Sequence, residues 1–235
     1  MFLPRVLQAA TDAALQCAFP PVCFSCNMPL PSWRERICRN CLSALRVVAV
    51  TDEIYRKALH RLQSAGVLDL VVPWYFEKEG PLQTLIHQLK YGGMTRLGFD
   101  LGKGVGDLVA SREEKGFDAI IPIPLHKARM RERGYNQAAC IAAGVARITR
   151  WPVRPRLVRR SRFTPTQTAL SFEERQENVI GAFAASRMRL WTIAGRRFLL
   201  VDDVVTTGAT MGACSMALLA AGAREVVGCA IAIAE

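Results

Sequence analysis

From Val67 onward, short apolar runs alternate with longer stretches of helical character: VLDLVVPWYF, then PLQTLIHQLKYGG, then LGFDLGKGVGDLVASREEKG, then FDAIIPIP. Apolar runs of this length suit strands buried on both faces, and the stretches between them suit covering helices, so the alternation predicts a parallel α/β sheet. A helix over Asn136 to Thr149 comes next, then a polar stretch from Arg159 to Asn178, then the run RRFLLVDDVVTTGATMGACSMALLAAGAREVVGCAIAIA. In that last run Leu199 to Val201 reads as a buried strand. A helix begins near Ala209 and is stopped by Gly222, and Val226 to Ile233 reads as another buried strand. The polar stretch has too few apolar residues to be well buried, and beside an active site it is a candidate lid.

The first fifty residues break this pattern. From about Cys17 to Leu45 the chain is rich in Cys, Pro and Arg and has no apolar period, so something other than a core must hold it. Cys23-x-x-Cys26 is followed after eleven residues by Cys38-x-x-Cys41. Two such pairs can enclose a tetrahedral zinc ion with no position left for water, which makes the metal structural. A disulfide pair or redox-active dithiols are the alternatives, disfavoured by a reducing compartment and by the absence of a thioredoxin-like unit around either motif. The expected division is an N-terminal helix and four-cysteine zinc module over 1–50 and an α/β domain over 51–235, a size that suits one main core.

Composition narrows the setting. No stretch approaches the ~18–20 uninterrupted apolar residues that span a bilayer, and Gln8, Thr11 and Asp12 interrupt the N-terminal apolar run that a signal peptide would need. A soluble cytoplasmic protein without membrane insertion is expected, with Cys140, Cys214 and Cys229 as small buried hydrophobes. A net charge of +11 suits an anionic partner, whether a polyphosphate ligand or nucleic acid.

In VDDVVTTGAT, Asp202 and Asp203 close a strand, and Thr206, Thr207, Gly208, Ala209 and Thr210 open a helix. Backbone N–H groups converge there with the positive end of the helix dipole, Gly208 permits close approach, and the hydroxyls add donors, so the turn suits a phosphate. Two carboxylates just ahead of it can accept hydrogen bonds from vicinal ribose hydroxyls. Ordinary helix capping would explain one such residue rather than two Asp and three Thr around a Gly.

These residues resemble the phosphoribosyl pyrophosphate (PRPP) signature of type I phosphoribosyltransferases. With CFSCNMPL and ICRNCLSAL, LIHQLKYGG, IPIPLHKARMRERGYNQA and TPTQTALSFEERQENVIGAF in the same order, the whole chain resembles the ComF family of competence proteins. The resemblance implies a central, mostly parallel sheet of five or six strands flanked by helices, with the ligand at the carboxyl ends of the strands. It implies Asp202 and Asp203 as the catalytic, ribose-binding pair and Thr206 to Thr210 as the 5′-phosphate cradle. Opposite, a loop from Leu125 to Asn136 carries Lys127, Arg129, Arg131 and Arg133; Arg131 and Arg133, with Lys90, are the candidates for pyrophosphate, against the alternative of a solvated basic face. Gln167, Arg175 and Asn178 are the lid candidates, and magnesium accompanies PRPP. His60, His87 and His126 show no metal or catalytic spacing. Three functions stay open: phosphoribosyl transfer to an unknown acceptor, a DNA-uptake accessory in which Trp33, Arg34, Arg36 and Arg39 touch single-stranded DNA or a partner protein of the uptake machinery, and a PRPP-responsive regulator.

Overall fold

The computed structural model describes residues 20–32, 35–112, 115–160 and 181–234. The lid candidates Gln167, Arg175 and Asn178 lie outside the described residues, as do Cys17, Trp33, Arg34 and the N-terminal helix. In chain order the elements are α1 (Arg39–Ser43), α2 (Glu53–Gln63), β1 (Leu70–Val71), β2 (Trp74–Phe76), α3 (Pro81–Tyr91), α4 (Thr95–Arg112) and β3 (Ala119–Pro122). They continue with α5 (Lys127–Arg133), α6 (Gln137–Thr149), β4 (Val158–Arg160), β5 (Phe183–Ala185), a 3-10 turn (Arg187–Thr192), β6 (Arg197–Val205), α7 (Ala209–Ala220) and β7 (Glu225–Ala234).

Five strands form one sheet in which every pairing is parallel: β1 and β2 both lie along β7, β7 pairs with β6, and β6 pairs with β3. The parallel α/β expectation therefore holds. Leu70 to Val71 and Trp74 to Phe76 keep one register along β7, from Gly228 and Cys229 to Ala232, Ile233 and Ala234. They are one edge strand broken at Pro73, which has no N–H to give the ladder. Residues 46–48 cover its open side, with Val48 N donating to Pro73 O and Tyr75 N donating to Arg46 O, both at 2.9 Å.

Strand alternation sorts the core into two layers. Phe198 and Leu200 of β6 pack on one face with Tyr55, Ala58 and Leu62 of α2 and with Met211, Cys214 and Leu218 of α7. Leu199 and Val201 pack on the other with α3, α4 and α6 through Leu85, Leu89, Leu97, Val105, Ile141 and Val145. Both faces of β6 are thus covered, which is why its residues read as one unbroken apolar run. Helices α4 and α6 approach so closely that a Cβ on Gly102 would stand 2.2 Å from Ile141 O, and one on Gly144 2.2 Å from Phe99 O. β4 and β5 make a separate antiparallel ribbon, Val158 opposite Ala185 and Arg160 opposite Phe183, laid over the α7 face. Among the described residues no helix is long and apolar enough to cross a membrane.

Candidate functional site

β3 ends at Pro122, opposite Val201, whereas β6 continues to Val205. The strand expected over Leu199 to Val201 is therefore longer and contains both aspartates. Past Val201 one side of β6 has no neighbouring strand among the described residues, and a cleft of about 310 Å³ opens there. Asp202, Asp203, Thr206 and Thr210 form one wall of it, with Lys90 from the last turn of α3.

The β6–β7 register passes from Asp202 opposite Ala230 to Val204 opposite Ala232 and leaves out Asp203. The two carboxylates take over the local amides: Asp203 N donates to Asp202 Oδ1 at 2.9 Å and Val204 N donates to Asp203 Oδ1 at 2.8 Å. Lys90 Nζ lies 3.1 Å from Asp203 Oδ2. Burial, reinforced by the charge of Asp203, pushes the Asp202 carboxyl up to about 7. Beyond them Gly208 turns the chain at φ +78°, in the left-handed region, and a Cβ there would meet Leu62 Cδ2 at 2.9 Å. Glycine is required on both counts. The turn delivers residues 206–211 to the N-terminus of α7, where they line a small hollow with Asp202, and Ala209 N donates to Thr207 Oγ1 at 3.3 Å.

The opposite wall corrects one expectation. Residues 127–133 form helix α5 rather than a loop, capped at its start by His126 Nδ1, which accepts from Ala128 N at 3.2 Å, and ended by Gly134 at φ +76°. Helical spacing then decides which cations face the cleft. Arg129 and Arg133, four residues apart, share one face and line it; Arg131, two residues from each, is exposed and is not among the lining residues. Arg133 stacks over the Tyr91 ring at 5.2 Å from its centroid and donates to Gln137 Oε1 at 3.0 Å. Asn136 ties α6 to the end of β3: its Nδ2 donates to Ile123 O at 2.9 Å while its Oδ1 caps Ala138 N. Gln137 is 2% exposed, and its Nε2 has no hydrogen-bond partner among the described residues.

Sequence reasoning missed two contributors. Arg160, the last residue of β4, reaches the cleft; burial, with the nearby charge of Arg129, pulls its pKa below the usual guanidinium range. Gln137 is the second. Nothing in the run LVRR separates Arg160 from its neighbours, whereas the Asn136–Gln137 pair stands where a helix starts and was legible as a cap.

The four cysteines come together in a separate place. The sulfurs of Cys23, Cys26, Cys38 and Cys41 all lie within 4.8 Å of one another, and Cys26 Sγ is 3.7 Å from Cys38 Sγ. A tetrahedral zinc with Zn–S of about 2.3 Å sets its sulfurs about 3.8 Å apart, so this donor set fits the ion. Backbone N–H groups point at the sulfurs, from Cys38 to Cys23 Sγ at 3.3 Å and from Cys41 to Cys38 Sγ at 3.4 Å. Burial raises the Cys23 thiol, but the N–H groups of Cys38, Cys26 and Ser25 outweigh it and bring the thiol down to about 6. Cys41 is pushed up to about 12 by burial and by the neighbouring sulfurs. Four thiolates cannot share so small a volume without a cation among them, and a dication supplies that charge.

Comparison with known proteins gives the chain its relatives. The DNA utilization protein YhgH of Shigella flexneri is 32% identical over 218 residues, 88% of this chain and 94% of that protein. Competence protein F of Haemophilus influenzae is 32% identical over 161 residues, 67% of this chain and 69% of that protein. The chain belongs to the ComF family. A more distant ComF relative, competence protein ComFC of Bacillus subtilis, is 26% identical over 207 residues, 86% of this chain and 79% of that protein. No family model matches. Among solved structures, the glutamine PRPP amidotransferase from B. subtilis complexed with ADP and GMP aligns with a TM-score of 0.37 at 21% identity over 55% of this chain and 26% of that one. Leishmania donovani UMP synthase aligns at 0.32 and 19% identity over 77% of this chain and 31% of that one.

Proposed function

We propose that this ComF-family protein binds PRPP in the cleft at the end of β6 and is built to transfer its phosphoribosyl group to an acceptor. The observation that carries the proposal is the division of one cleft into two walls. An acidic pair, with Lys90 beside Asp203, and a phosphate-sized turn stand on one side, and Arg129, Arg133 and Arg160 converge from two other elements. A ligand carrying a ribose with free hydroxyls, a monophosphate at one end and a pyrophosphate at the other matches that division.

In this reading Asp202 and Asp203 accept hydrogen bonds from the ribose hydroxyls, and the amides and hydroxyls of Thr206 to Thr210 hold the 5′-phosphate. Arg129 and Arg133 meet the pyrophosphate, Arg133 being held ready by Tyr91 and Gln137. Lys90 releases Asp203 as the ribose arrives and turns to the departing phosphates. Magnesium, when bound with PRPP, neutralises pyrophosphate charge. The anomeric carbon passes through an oxocarbenium-like state, so the protein contributes position and charge more than covalent chemistry. Zinc in the cysteine cluster is structural and lies apart from this site.

Calorimetric titration of PRPP with magnesium tests the proposal. Binding to the wild type that vanishes in Asp202→Asn/Asp203→Asn is the expected result; no heat from folded, zinc-loaded wild type overturns it. A second reading, a DNA-handling protein in which PRPP acts as a signal or plays no part, is favoured by the net charge of +11 and by the names of the relatives, a DNA utilization protein and a competence protein. It predicts no pyrophosphate release from PRPP with any acceptor.

A further inference from the structure

The cleft holds one side chain whose hydrogen bonding is half complete. Gln137 is the first residue of α6, and Asn136 before it fixes that helix start, its Oδ1 accepting from Ala138 N at 3.1 Å and its Nδ2 donating to Ile123 O at 2.9 Å. Arg133 Nη1 donates to Gln137 Oε1 at 3.0 Å. A guanidinium has only donors, so the amide oxygen must be the atom that faces it, and Nε2 must face away. Nε2 is thereby left with no acceptor among the described residues, on a side chain that is 2% exposed and lines the cleft. Arg133 Nε, on the neighbouring side chain, is likewise buried without an acceptor.

Buried amide donors are almost always paired, because an unmade hydrogen bond costs the whole desolvation of the group. The Gln137 nitrogen is sealed from solvent, so water does not serve it. An apolar side chain of the same length would fill the space without that cost, and the donor therefore marks an acceptor that arrives with a ligand. The neighbours decide the chemistry of that acceptor. Arg129, Arg133 and Arg160 line the same cleft, so an oxygen that settles among them is anionic. Adjacent donors on two residues call for a group with several such oxygens, and the turn after β6 already provides for a monophosphate. A diphosphate is the group that remains.

We infer that Gln137 is a specificity-determining residue, donating from Nε2 to the diphosphate that Arg133 holds and so selecting ribose 5-phosphates that carry a diphosphate at the anomeric carbon. This rests on the PRPP reading of the cleft. Without ligand the Arg133 guanidinium is parked, bonded to Gln137 and stacked over the Tyr91 ring at 5.2 Å from its centroid. Arg133 is half-buried in the last turn of α5, just before Gly134, whereas Gln137 is buried and follows the Asn136 cap. Movement therefore belongs to Arg133. As it turns onto the diphosphate it gives up Gln137 Oε1 and uncovers the amide, and Nε2 meets a second oxygen of the same group.

Titration calorimetry of PRPP, inorganic pyrophosphate and ribose 5-phosphate, each with magnesium, on the full zinc-loaded chain tests the assignment. Gln137→Met keeps the length of the side chain and removes the donor. It should weaken PRPP and pyrophosphate about tenfold, the loss of one hydrogen bond to a charged group, and leave ribose 5-phosphate within about twofold. Gln137→Glu keeps an oxygen for Arg133 but sets another where the donor was, and should weaken PRPP about a hundredfold. The deciding comparison is made in an Arg133→Ala background, where holding that guanidinium no longer matters; adding Gln137→Met should still cost about tenfold. Melting temperature and zinc content should show Gln137→Met folded. No further loss in the Arg133→Ala background, an equal loss for ribose 5-phosphate, or full PRPP affinity in Gln137→Glu would each overturn the role of Gln137 and leave PRPP binding standing. A folded wild type that binds neither PRPP nor pyrophosphate would remove both.

Discussion

The cysteine module and the α/β domain reach a folded state by different means. Among the described residues between Cys23 and Cys41, the buried side chains are one leucine, Leu30, and two of the cysteines themselves. The domain instead closes two apolar layers around β6 and β7, with Phe198, Leu199, Leu200 and Val201 fully buried in succession. A segment so short cannot bury enough apolar surface to offset its chain entropy, so the metal stands in for a core. The two parts touch through Phe24 and Ile37 against the α3–α4 layer and through an Arg36–Asp100 ion pair at 3.3 Å. Cohesion within each part comes from its own chemistry.

The largest expected effect breaks the module alone. Removing zinc with a chelator, or Cys41→Ser, should unfold residues of the module, because binding of a structural zinc contributes on the order of 10 kcal/mol. The main thermal transition of the domain should shift by only a few degrees, and PRPP titration of the chelated protein should still give heat. Loss of the domain transition together with the metal would show one cooperative unit instead. The converse break is Gly102→Ala, which places a methyl against Ile141 O and should lower the domain's melting temperature by about 6–12 °C, an overpacking penalty of about 3 kcal/mol. Zinc content measured by a chromogenic chelator should stay at one equivalent.

The same contrast explains what could be read from the chain. Cysteine ligands announce themselves by spacing, and the strand, turn and helix around Asp202 to Thr210 announce themselves by an apolar run ending in polar residues. The cationic wall was only half legible. The segment carrying Arg129, Arg131 and Arg133 reads as a polar loop until Gly134 and the His126 cap make it a helix, and only a helix decides that Arg129 and Arg133 turn inward together. Arg160 depends on β4 pairing with β5 across a long sequence separation, a contact that no local period encodes. Gln137 is buried by α6 docking on β3 through Asn136, again a tertiary outcome. Helix α2 was passed over although Tyr55, Ala58 and Leu62 mark its buried face.

Within the domain, site variants sharpen the comparison because they should leave both folds intact. Asp203→Asn removes the acceptor paired with Lys90 and, on the PRPP reading, a ribose contact; affinity should fall about a hundredfold, as expected when a charged hydrogen-bond partner is lost from a buried site. Zinc content and melting temperature should hardly change, and an affinity within threefold of wild type would remove Asp203 from the site. The arginines give a smaller and more discriminating pair. Arg133→Ala should weaken PRPP about tenfold, the loss of one charge-assisted contact, whereas Arg131→Ala should stay within a factor of two. Equal losses from both would mean that α5 contributes a diffuse positive field rather than an aimed guanidinium.

The last effect concerns protons. The Asp202 carboxyl is raised from its ordinary 3.8 to about 7 in the folded protein, first by burial and then by the charge of Asp203. Between these values the folded chain holds a proton that the unfolded chain has lost, so the unfolded state binds fewer protons and stability must fall as pH rises through that window. Asp202→Asn keeps the shape and removes the titration. Ligand-free wild type should therefore lose about 5–10 °C of melting temperature between pH 5 and pH 8 relative to the variant, as a loss on the order of 2.5 kcal/mol would produce in a chain of this size. The margin of the variant over wild type should be smallest at the acid end and largest at the alkaline end. Parallel pH profiles would show that Asp202 is already ionised at pH 5, held so by Lys90 and Arg160 despite its burial. The cysteine module supplies the internal control, since protonating its thiolates weakens zinc binding as pH falls, and so its stability moves in the opposite direction.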